Sequence, residues 1–291
     1  MLYKYVPFKR KDILENQLVR FTQPGDFNDP FEMRPSFDLM SKADIANLPE
    51  APGQEGTTGP KARVLTPEAL SAMFNTLMGG IQRTIASTVK GPGAWSLDNN
   101  LIARSVYDSK YGILSLTESP TSLLMWAHYA DSHRGFVIQF DDQHEFFRQP
   151  PDTGPDVTFR EVKYSATRPI LSYSSIDSPD VFFSKSPEWS YEREWRFVKP
   201  LSAAAKVVDA SPFPIHLFQL PERAVTGIIL GASILPENAK AIMAICEHPD
   251  LAHIKIFQVT LDRDEYKLEI HPPLDGSVPP GPISGWVPSA R

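Results

Sequence analysis

Residues 190–198, SYEREWRFV, decide how the second half of this chain is read. Glutamates and arginines stand among aromatics in a stretch with strand character. If it is a strand, a period of two puts Glu192, Glu194, Arg196 and Val198 on one face. Arg193, Trp195 and Phe197 take the other. The Trp/Phe side then packs on a core. The opposite side, expected to face largely toward solvent, carries two carboxylates roughly 7 Å apart by the rise per residue. A solvated face with cross-strand ion pairs is the plain reading. Against it, like charges spaced along one face add little to a surface strand. The other reading is a site.

Working outward, LYKYVPF alternates as a first strand that Pro7 ends, KDILENQ is a short helix, and LVRF, from Leu18 to Phe21, is a second strand. TQPGDFNDPFE is dense in turn formers and reads as an ordered loop. YGILSLTE, from Tyr111, is a strand. SPTSLLMWAHYADSHRG is a helix, with Ser119 as N-cap, Pro120 in the first turn and Gly135 as C-terminal cap. Apolar and amphipathic residues surround that helix, so it is expected to be buried. GFVIQFD and VTFREVKY are strands, and SPDVFFSKSPEW is a helix or turn leading into REWRFV. PIHLFQL, AVTGIIL, the helix PENAKAIMAICEH, IKIFQVTL and YKLEI follow.

Residues 48–63 read as a flexible surface excursion and 64–110 as a helical insertion. Thr66 caps its first helix, Pro67 opens it, and Gly79-Gly80 breaks it. The Pro/Gly-rich segment 272–291 is an extended tail. Long helices early and crowded strands late define an α+β fold, here a single domain over 1–271.

At 291 residues, with 42% hydrophobic and 22% charged side chains, the chain can build a core without staples. A net charge of −6 argues against a broad nucleic-acid-coating surface. The single cysteine, Cys246, excludes an internal disulfide and a multi-cysteine zinc site. Its place in an amphipathic helix marks it as a small buried hydrophobe. No signal-peptide core and no run of ~18 apolar residues is present. A cytoplasmic protein without a membrane partner is therefore expected.

No GxGxxG, P-loop, HExxH or GxSxG motif occurs. His128 and His133 are five apart and project about 140° apart on a helix, which does not chelate one ion. No metal is expected on that ground. His128 reads by default as a core histidine. In FNDPFE, Phe27 and Phe31 anchor a loop whose Asn28 and Asp29 fix a turn, or hold polar groups over a cleft. Ser115 and Thr117 offer hydroxyls on one strand face.

LYKY, FNDPFE, LSLTES, LLMWAHYADSHRGFVIQFD and EREWRF occur in the order shown by a bacterial family, the domain of unknown function twenty-nine seventy-one. The resemblance spans residues 2–235 apart from 48–107. The same layout more distantly resembles ADP-ribosyltransferases, which hold NAD in a cleft between two small β-sheets flanked by helices. In that resemblance Lys4 stands for the basic residue of the first strand, though arginine or histidine is usual. Ser115-Leu116-Thr117 stands for a Ser-Thr-Ser element, and Glu192-Arg193-Glu194 for Glu-x-Glu.

The implied activity cleaves the nicotinamide–ribose bond of NAD and passes ADP-ribose to an acceptor, protein or nucleic acid. Glu194 would orient the ribose and Glu192 would position or activate the acceptor. Tyr3, Tyr5, Trp126 or Tyr129 would stack on a ring. Lys4, Arg20 or Arg196 would meet the pyrophosphate. Asn28, Asp29, Ser115, Thr117 and His128 complete the implied NAD-binding set. A toxin, a defence factor and a housekeeping enzyme all remain open. Two other readings compete: a magnesium-dependent nuclease or phosphoesterase gathering Asp29, Glu32, Glu192 and Glu194, and a binding module without turnover.

Overall fold

A computed structural model describes residues 1–37, 107–148, 158–171, 179–221 and 223–272. The expected excursion over 48–63, the insertion as far as residue 106 and the tail from residue 273 lie outside them. The fold is α+β. In chain order its strands are β1 Leu2–Val6, β2 Leu18–Phe21, β3 Ser36–Phe37, β4 Tyr111–Thr117, β5 Phe136–Phe140, β6 Thr158–Glu161, β7 Lys163–Tyr164 and β8 Ile170–Leu171. Then come β9 Ser184–Lys185, β10 Glu194–Pro200, β11 Lys206–Val208, β12 Ile215–Gln219, β13 Val225–Leu230, β14 Lys255–Leu261 and β15 Leu268–His271. Helix α1 is Asp12–Asn16, α2 is Leu123–Tyr129 and α3 is Pro236–Cys246.

An eight-stranded sheet runs β15-β14-β13-β5-β1-β4-β10-β6, and a three-stranded sheet runs β11-β12-β2. Two short pairs, β3-β8 and β7-β9, lie apart from them. All neighbours in the large sheet are antiparallel except β13 and β14. A parallel pair needs a crossover, and α3 supplies it. Ala239, Ile242 and Cys246 of α3, at helical spacing, are its buried stripe. Cys246 is thus the buried hydrophobe its sequence context suggests.

FVIQF of β5 is apolar at consecutive positions because both faces of the sheet are covered. Phe136, Ile138 and Phe140 join the core under α1 and α3, with Ile13, Leu14, Ala239 and Ile242. Val137 faces the other way, with Tyr5, Met125, Trp126 and Ile229. Trp126 is fully buried and meets Tyr5 edge-on at 5.2 Å between centroids. Such an aromatic pair adds about 0.5–1.5 kcal/mol beyond its buried area.

Helix α2 is shorter than the sequence suggests. Ser122, not Ser119, is its N-cap, accepting from the Met125 amide at 3.4 Å. Pro120 instead gives its carbonyl to the Trp126 indole at 3.0 Å, which draws residues 119–121 out of the helix. At the far end Asp131, Ser132 and His133 all take positive φ, so the helix stops before Gly135. Only one side is buried: Met125 and Trp126 are covered, whereas Leu123, Leu124 and His128 are exposed. His128 is therefore not a core histidine. No helix among the described residues is long and apolar enough to cross a membrane.

The strand pairing of β4 sets up everything that follows. Its C-terminal end meets β1 at one registered pair, Tyr3 with Thr117. Lower down, Ile113 exchanges both backbone hydrogen bonds with Thr22, just past β2. Between these two partners, at Ser115, the β1 side of the strand is open.

Candidate functional site

A cavity of about 330 Å³ occupies that opening. Tyr3, Lys4 and Tyr5 of β1 form one wall, and Ser115, Leu116 and Thr117 of β4 another. Asn28 and Phe27 reach it from the loop after β2, and Tyr129 from α2. Glu192, Glu194 and Lys185 close it. The volume is at the small end of the range for ligand sites.

The carboxylates are held differently from the strand reading. Pro187–Glu192 is a 3-10 helix, Arg193 turns through φ 45°, and β10 begins only at Glu194. Glu192 therefore reaches the cavity from a turn and not by strand periodicity. The Thr117 hydroxyl fixes this turn by donating to the Glu192 carbonyl, while Glu118 N–H donates to the Arg193 carbonyl at 3.2 Å. The left-handed residue is the exposed one: Arg193 pairs with Glu118 at 2.6 Å, its side chain 62% accessible. Trp195, half-buried, donates to the same carboxylate at 3.0 Å.

The face expected to meet solvent is buried. Glu192 is 3% exposed, Glu194 4% and Arg196 0%. Strand β10 lies between β4 and β6, and the loop bearing Glu32 covers its polar side. Lys185 Nζ sits at the centre, 2.5 Å from Glu192, 3.1 Å from Glu194 and 3.5 Å from Glu32. Arg196 donates to both oxygens of Glu194 at 2.8 and 2.9 Å, to Glu32, and to the Phe182 carbonyl at 2.7 Å.

These contacts set the charges. Burial alone would raise the Glu194 carboxyl, but the Arg196 and Lys185 cations outweigh it and bring it down to about 2. Burial would lower Lys185, yet Glu194 and Glu32 hold it above the ordinary lysine value. Glu32 goes the other way, raised because its desolvation exceeds what Arg196 and Lys185 return. Tyr129 is raised by burial and by Glu192, so it keeps its proton and donates it to Glu192 at 2.7 Å. Lys4, 3.3 Å from the Ser115 carbonyl, is brought down to about 8, by burial and then by Arg10 and Arg20.

Of the residues singled out from the sequence, Tyr3, Lys4, Tyr5, Asn28, Ser115, Thr117, Tyr129, Glu192 and Glu194 line this one cavity. Four do not. Trp126 is sealed in the core beneath Tyr5, which leaves it no face for a ligand ring. His128 points outward on α2. Arg196 is saturated by Glu194 and Glu32, so it cannot meet a pyrophosphate. Asp29 is 3% exposed and accepts from the Phe31 amide at 2.8 Å, the turn-fixing role.

Lys185 is the residue the sequence reading missed. Its only signal is a lysine between two serines, just past the apolar run Val181–Phe183. The magnesium reading does not fit the donors: Glu32, Glu192 and Glu194 already have Lys185 or Arg196 where a metal would sit. No metal-holding group of three or more His, Cys, Asp or Glu occurs among the described residues.

Residues 125–197 match the model of a family described as Protein of unknown function (DUF2971). The window runs from the start of MWAHYADSHRG to the end of EREWRF and bears out the family resemblance carried by those motifs. No curated protein and no solved structure matches the chain.

Proposed function

We propose that this cavity binds the nicotinamide–ribose half of NAD, cleaves the bond between them and transfers ADP-ribose to an acceptor. The observation that carries the reading is a buried carboxylate, Glu194, held ionised on a rigid strand at a cavity lined by tyrosines and an amine. In the step, the C1′–nitrogen bond breaks and its electron pair leaves with neutral nicotinamide. The ribose becomes cation-like, as in glycoside cleavage, and a fixed anion beside it lowers the barrier. The acceptor then bonds to C1′, and Glu192 takes its proton. Tyr3 and Tyr129 offer faces to the cationic pyridinium ring. We place the reaction in the cytoplasm.

The test compares NAD binding and nicotinamide release in wild type, Glu194→Gln and Glu192→Gln. Turnover in wild type, with Glu194→Gln still binding NAD but releasing nicotinamide at least a hundredfold more slowly, supports the reading. Because Glu194 touches Lys185 and Arg196, thermal melting of each variant accompanies the assay. No binding of NAD by folded wild type at millimolar concentration refutes it.

A further inference from the structure

A second pocket, of about 270 Å³, shares Lys185 with the first. Its lining includes Glu32, at the opposite end of the buried charge network, and Asp29. Those two are 3% and 2% exposed, and Asp29 Oδ2 and Glu32 Oε2 have no hydrogen-bond partner. A buried carboxylate oxygen without a donor is destabilising, so two beside one pocket call for a ligand with N–H groups.

The rim has the reverse character. Arg34 and Arg168 line it, and neither side chain makes an ion pair or hydrogen bond among the described residues. Most charged side chains around the site are paired, as Arg20 is with Asp26 and Arg160 with Asp180. Phe31, 63% exposed, stands at the same rim although a large aromatic gains nothing from water. Acceptors at the floor, guanidiniums at the mouth and a bare ring beside them suit one chemical class.

We propose that this pocket binds a nucleotide, with the amino edge of its base on Asp29 and Glu32 and its phosphate on Arg34 and Arg168. A guanine edge presents two N–H donors, one for each of these unpartnered oxygens, and a guanidinium fork matches phosphate oxygens bidentately. Phe31 stacks on the base. The site does not depend on NAD chemistry in the first cavity. Glu192 and Glu194 line only the first cavity, whereas Asp29, Glu32 and both rim arginines line only the second.

Calorimetry with GMP, inorganic phosphate and a 5′-phosphorylated hexanucleotide tests this on the full chain. GMP is expected to bind at least tenfold more tightly than phosphate. Arg34→Gln and Arg168→Gln should each weaken it about tenfold, and Phe31→Ala, an exposed change that leaves the fold intact, several-fold. Lys240→Gln, exposed on α3 and outside both pockets, should leave it unchanged. A hexanucleotide tighter than GMP identifies a strand end as the source of the nucleotide, and the reverse order identifies a free nucleotide. Equal binding of GMP and phosphate, or GMP binding indifferent to all three rim substitutions, overturns the site. Displacement of GMP by saturating NAD overturns its separateness, whatever the outcome of the nicotinamide assay.

Discussion

At the scale of single residues, burial turns ordinary side chains into specialised ones. Lys4 is the clearest case. Its folded value of about 8 lies below the ordinary 10.5, so between those pH values the unfolded chain holds a proton the folded chain lacks. Stability from this group therefore rises with pH across that window. Ligand binding goes the other way: an anion in the cavity should bind more weakly as pH passes 8, and Lys4→Met should flatten that dependence in a titration of affinity against pH. Glu194 is the complementary case. Its stabilisation is complete above about 4.5 and lost as pH falls toward 2, so acid unfolding should begin in that interval. Arg196 carries the largest single-residue effect. Arg196→Met leaves Glu32 and Glu194 each short of a buried partner, and the expected cost is about 3–5 kcal/mol by urea denaturation.

At the scale of elements, short pieces are held by contacts that the sequence writes only faintly. Gly135 lets β5 start directly beside the end of β1. A Cβ there would lie 2.2 Å from the Val6 carbonyl and 3.0 Å from that of Ala130, both backbone atoms that cannot rotate away. Gly135→Ala is expected to cost about 1–3 kcal/mol, as overpacking does. It should also displace the end of α2, and with it the Tyr129 hydrogen bond to Glu192, so nicotinamide release should fall together with the melting temperature. The turn at Arg193 works similarly. Thr117 and Glu118 grip it from β4, which lets a six-residue 3-10 helix hand its last carboxylate to the same lysine that holds the first carboxylate of β10.

At the scale of the molecule, β4 links the two sheets, through Thr117 to β1 and through Ile113 to Thr22, just past β2. The cavity is the gap this sharing leaves. Strands β5 and β13, paired on both sides and with most of their side chains fully buried, should show the slowest amide exchange. Strand β11, exposed along its length at the edge of the small sheet, should exchange orders of magnitude faster. Exchange measured with and without NAD should show added protection at Ser115–Thr117 and at residues 192–194.

The sequence by itself determined the strands. Val, Ile and Phe at short spacing, cut by Pro, Gly and Asp, mark β1, β2, β4, β5, β13 and α3 at or near their true bounds, because those signals are local. It also determined much of the site: Tyr3 and Lys4 of LYKY, all of SLT and both glutamates of EREW meet at the cavity. What only the tertiary structure decided is which charges face a ligand. Arg196 and Glu194 are adjacent on one strand face, yet one lines the cavity and the other is sealed beneath it. Strand periodicity gives a side, not a depth. Depth depends on the Glu32 loop and on Lys185, brought in from residues distant or unmarked in the chain. The N-cap at Ser122 and the turn at Arg193 were decided in the same way, by hydrogen bonds from Trp126, Thr117 and Glu118. A buried charge is stable only where its partners converge, and convergence is a property of the fold.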